Sequence, residues 1–162
     1  MATLLTIIDT LAAAFVFGAT VWFFFIQAPV LLSKIGRERF VPIQMNATKV
    51  LFKALVVTTA VMVAANLAGG NGPLSMAGGS ALLALLGALI NERFLVPKAL
   101  KAGGRGYKAI KGKDVEADTA GFALDGVSAD TATMHRLVVV FVVVMLAGVV
   151  PHLLMLTGVI AG

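Results

Sequence analysis

Four long apolar stretches alternate with shorter polar ones along this chain, at about Leu11 to Leu32, Val50 to Leu67, Leu74 to Val96 and Leu137 to Leu156. Each is long enough for a helix to cross the roughly 30 Å hydrocarbon layer of a bilayer. The pattern predicts an all-α fold: a polytopic, four-transmembrane-helix bundle forming one integral-membrane domain over residues 1–162. Between the first and second stretches, residues 33–49 mix Lys34, Arg37, Glu38 and Arg39 with Phe40, Ile43 and Gln44, which suits a short helix lying on the membrane surface. Between the second and third, the uncharged Gly- and Pro-containing segment around Gly69 to Gly79 predicts a tight hairpin. A long polar loop, 97–136, precedes the fourth.

Composition agrees with that reading. Apolar residues make up 59% of the chain, charged residues only 13%, and the mean hydropathy is +0.98, values outside the soluble range. Charge then supplies direction. All thirteen Lys and Arg residues fall within Lys34 to Lys53, which holds five, and Arg93 to Arg136, which holds eight. Cytoplasmic loops retain cations, so loops 33–49 and 97–136 are expected in the cytoplasm and both termini on the non-cytoplasmic side of the cell (inner) membrane. That explanation of the +5 charge removes nucleic acid as a partner. The first cation is Lys34, so Met1 to Leu32 lacks the basic start of a cleaved signal and is taken as a retained span.

Candidate chemistry is sparse. The chain has no cysteine, which excludes disulfides, thiolate metal cages and thiol nucleophiles. No GxSxG elbow, P-loop, HExxH or dinucleotide fingerprint is present. No cofactor and no metal is assigned. His135 and His152 are seventeen residues apart, about 25 Å along a helix, and cannot share one haem. Asp9 and His152 should lie near the same outer face, where an ion pair could couple to protons. Polar groups concentrate instead at the cytoplasmic edge, where Gln27, Gln44, Asn91, Glu92, Arg93, Pro97, His135 and Arg136 form a candidate cluster. In it Arg93 is expected to pair with Glu92 or backbone carbonyls, Pro97 to end the third helix, and His135 to hydrogen-bond Asn91. Pro29 is expected to bend or end the first helix near Phe25. Lys101, Arg105, Lys108, Lys111 and Lys113 are expected to hold the long loop against anionic lipid headgroups. Small residues at Ser80, Ala84 and Ala88 predict close helix packing. A weak echo of Pro29, Lys34, Gly36 and Arg37 in Pro97, Lys101, Gly103 and Arg105 hints at a duplicated hairpin.

Three motifs resemble the transmembrane protein 205-like family, a four-span membrane domain of unknown function (4149 type). They are Gly18 with Trp22, Phe25 and Pro29 running into Arg37-Glu-Arg-Phe40 and Gln44; Asn91-Glu-Arg-Phe-Leu-Val-Pro97-Lys98; and His135 at the head of the last span. The middle motif is the most specific. The resemblance implies a four-span membrane protein and no defined mechanism. Val138 and Val142 stand where that family tends to carry small polar residues, so it does not imply a polar groove along the fourth span. A fainter similarity, to anthrone-oxygenase-like membrane proteins, runs through the Pro29 region and Gln44 with Asn46. The expected function is therefore a non-enzymatic accessory, transport-related or small-molecule-binding membrane component, alone, as a homo-oligomer or in a larger complex. One alternative is a haem- or quinone-type redox protein or oxygenase using Trp22 and Phe23 to Phe25. Another is a basic-loop platform recruiting lipid or protein.

Overall fold

The computed structural model describes residues 2–101 and 129–160. Within them the chain is helical, and four helices are long and apolar enough to cross a membrane: Thr3–Gly36, Arg39–Ala68, Met76–Lys101 and Thr133–Leu156. Successive helices pack side by side and the fourth returns to the first, closing a four-helix ring. Its two ends differ. One carries the turn between the second and third helices and is called here the hairpin end; the other is the basic end. Val16, Phe52, Leu55, Met62, Val142, Met145 and Val149 fill the interior, while Phe15, Trp22, Phe25, Val57, Leu86 and Val143 point outward. Large apolar side chains on the outer surface are what a helix bundle in lipid presents.

The first connection is shorter than the sequence suggests. The surface stretch after the first span is not a separate element: its helix continues directly into the second long helix. The break is confined to Gly36, with φ 71° and ψ 166°, a conformation that only glycine adopts without strain. Ser75 starts the third helix, its hydroxyl accepting the Gly78 amide at 3.0 Å, as an N-cap should.

Proline does not end the helices as expected. Immediately before Pro29 the residues Trp22–Gln27 form a π turn, and immediately before Pro97 the residues Asn91–Leu95 form another. The Ala28 amide bonds Phe23 O and the Val96 amide bonds Asn91 O, each five residues back. A proline ring clashes with the carbonyl four residues earlier, and the wider turn holds that carbonyl in a different register. The helix therefore continues past Pro97 to Lys101 instead of terminating. The two turns give the echo between Pro29 and Pro97 a structural counterpart.

The third and fourth helices run antiparallel in close contact, which the small residues allow. A Cβ on Gly148 would sit 2.5 Å from Ser80 O and 2.7 Å from Ala84 N, and one on Gly87 would sit 3.0 Å from Met145 Cβ. Ala81, Ala84 and Ala88 are fully buried in this seam. The spacing of Ser80, Ala84 and Ala88 thus means helix packing, with Gly87 and Gly148 completing it.

Candidate functional site

At the hairpin end, each helix contributes one polar group to a single buried network. Asp9 comes from the first helix, Asn66 from the second, Ser80 with the carbonyl of Ala77 from the third, and His152 from the fourth. Asp9 is 3% exposed, Asn66 2% and His152 0%. His152 Nε2 lies 2.8 Å from Asp9 Oδ1, and Asn66 Nδ2 donates to Asp9 Oδ2 at 3.3 Å. The other ring nitrogen, Nδ1, is 3.1 Å from Ala77 O and 3.3 Å from Ser80 Oγ. Protonated, Nδ1 donates to Ala77 O; bare, it accepts from the Ser80 hydroxyl. In the first form the contact between Nε2 and Asp9 needs a second proton, which makes a neutral-sum pair of imidazolium and carboxylate or of imidazole and carboxylic acid. Both ring nitrogens are engaged, so His152 offers no free lone pair to a haem iron. The sequence brings Asp9 and His152 to one face but gives no sign that Asn66 and Ser80 join them.

A cleft of about 80 Å³ adjoins this network, bordered by Thr6, Asp9, Asn66, Gly69, Asn71 and Leu156. Asn66 Oδ1 is buried and has no hydrogen-bond partner.

The basic end is different. The expected cluster is only partly assembled there. Arg93 Nε does approach Glu92 Oε2, at 3.0 Å, but without hydrogen-bond alignment, and the Arg93 side chain is 73% exposed. Asn91 is completely buried, and neither polar atom of its amide has a partner. The hydrogen bond expected from His135 to Asn91 is therefore not formed. His135, Arg136 and Pro97 are exposed, and Gln27 is half-buried. Gln44 is half-buried too, with Oε1 enclosed and unpaired. Lys101 is exposed; Arg105, Lys108, Lys111 and Lys113 lie outside the described residues. Val138 and Val142, where a polar groove is absent, are core residues.

What the sequence did not anticipate at this end is a cleft of about 220 Å³ between the second and third helices. Phe52, Val96 and Leu100 line it with Lys49, Lys53 and Glu92. Lys49 and Lys53 are four residues apart and so share one helix face. No group of three or more His, Cys, Asp or Glu residues that could hold a metal occurs among the described residues.

A family model described as a domain of unknown function (DUF4149) matches residues 11–108. The chain belongs to this family. The DUF4149 match contains both π turns and every lining residue of the larger cleft, whereas Asp9 and His152 fall outside it. No curated protein and no solved structure matches the chain.

Proposed function

We propose that this chain is a non-enzymatic, multi-pass protein of the cell (inner) membrane that holds an anionic amphiphile in the cleft between its second and third helices. In this reading its DUF4149 domain is of the transmembrane protein 205-like kind. Both termini lie outside the cytoplasm, and the basic loops lie within it. All thirteen cations fall in the sequence within residues 34–53 and 93–136, around the connections from the first helix to the second and from the third to the fourth, which supports that threading.

The observation that carries the ligand is the make-up of the cleft. Lys49 and Lys53, against the single carboxylate of Glu92, give the lining a net positive charge beside apolar Phe52, Val96, Pro97 and Leu100, which matches a negative headgroup attached to a chain. Asn91, next to the cleft residue Glu92 in the chain, is completely buried with both polar atoms of its amide unpaired. Such a group is costly to bury unless something completes its bonds. The basic loop with Lys101, Arg105, Lys108, Lys111 and Lys113 would add attraction to anionic headgroups at about 1 kcal/mol per cation.

Native mass spectrometry of protein released with its surrounding lipid tests this. The expected result is an anionic lipid adduct that Lys49→Gln/Lys53→Gln retains about 25-fold less, or roughly fivefold per cation. Equal retention by the wild type and the double variant, or no preference for anionic over zwitterionic lipid, would overturn the assignment. Cysteine labelling at positions 72 and 112 should place them in opposite aqueous compartments.

A further inference from the structure

The Asp9–His152 pair is electrically isolated. Residues 1–33, 54–91 and 137–162 contain one carboxylate side chain, Asp9, and one basic side chain, His152. The second helix meets the pair with the neutral amide of Asn66, and the third with the Ser80 hydroxyl and Ala77 carbonyl. If His152 gives up its extra proton, the Asp9 charge is left in an apolar bundle with no countercharge. No described side chain beside it carries a positive charge, so a cation from outside could replace it.

The cleft beside the pair is bordered by both Asp9 and Asn66. Asn66 must turn its Nδ2 toward the carboxylate, which accepts only, so Oδ1 is an acceptor, and it has no partner. Asp9 Oδ2 receives one long hydrogen bond, at 3.3 Å, and retains capacity for another contact. At about 80 Å³ the space admits a small ion with a water, each water occupying about 30 Å³ in the liquid.

We propose that this cleft binds a small monovalent cation between Asp9 Oδ2 and Asn66 Oδ1, and that each cation bound displaces one proton from His152. The cation and the imidazolium proton are alternative countercharges for the same carboxylate. The proton leaves Nδ1 for water, while the Nε2 hydrogen bond to Asp9 Oδ1 is kept. The Ser80 hydroxyl, which otherwise donates to Ala77 O at 2.9 Å, rotates to donate to the bared Nδ1. No covalent bond other than that N–H changes. The site shares no residue with the amphiphile cleft, so either assignment can fail alone.

The test uses full-length protein in micelles with ¹⁵N-labelled histidine, the His152 signals being identified with His135→Asn. Sodium, potassium and methylammonium chlorides are titrated against N-methylglucamine chloride at constant ionic strength. With the large cation, His152 should show both nitrogens protonated at the acidic end of a pH series. At least one small cation should convert it to the Nε2–H tautomer, release one proton per chain, and bind about tenfold more weakly for each unit fall in pH while His152 is protonated. Asn66→Leu should keep the Nε2 signal of the Asp9 contact yet weaken the cation response about tenfold or more. Identical His152 titrations in all four salts would overturn the proposal, as would an undiminished response in Asn66→Leu.

Discussion

The two ends of this bundle treat their buried polar groups in opposite ways. At the hairpin end, Asp9, Asn66, Ser80 and His152 satisfy most of one another's hydrogen-bonding capacity, one residue from each helix. At the basic end, Asn91 is just as deeply buried and makes no side-chain hydrogen bond, and Gln44 Oε1 is likewise unmet. The first arrangement ties four helices together with only Asn66 Oδ1 left over; the second leaves both Asn91 amide atoms and Gln44 Oε1 without partners. An apolar interior makes this contrast sharp, because each unmet polar group there carries its full desolvation cost.

The largest effect should come from breaking the fastened end. His152→Ala strands the Asp9 carboxylate and is expected to cost about 3–5 kcal/mol, measured by thermal or denaturant unfolding in detergent. The double variant Asp9→Asn/His152→Gln leaves no buried charge and should cost clearly less. Next comes the opposite sign at the other end. Asn91→Leu removes an unpaired amide and should stabilise the ligand-free protein by about 1–3 kcal/mol in the same assay. A loss comparable to His152→Ala would abolish the distinction between the ends. Ser80→Ala removes one hydroxyl partner of His152 and should cost about 0.5–1.5 kcal/mol. Smallest of all, Arg93→Gln removes an exposed partner of Glu92 and should change stability by no more than about 1 kcal/mol.

Apolar runs of sufficient length made the four helices legible, and the spacing of Ser80, Ala84 and Ala88 made the tight third–fourth seam legible. The behaviour of Pro29 and Pro97 was not: sequence tells that a donor is missing, not whether the helix ends or shifts its hydrogen-bond register. The Asp9–His152 pair was foreseeable as two groups at one depth. Asn66 and Ser80 were not, since these helices are apolar on nearly every face and nothing in the sequence fixes their rotation about their axes. The lysine-edged cleft escaped for the same reason. By apolar runs alone Lys49 falls in the connection 33–49 and Lys53 in the second span, whereas one helix beginning at Arg39 carries both.

The π turns carry a consequence for chain length. Each accommodates one residue more than an α turn would use over the same rise. Dropping a residue between Trp22 and Gln27 lets that turn contract to α form, with the azimuth of Asp9 unchanged relative to the opposite end of the helix. The same deletion between Ala12 and Thr20 swings Asp9 through about 100°, away from His152. The first helix therefore has a built-in slack segment where a single-residue deletion is absorbed, and a stiff segment where it is not.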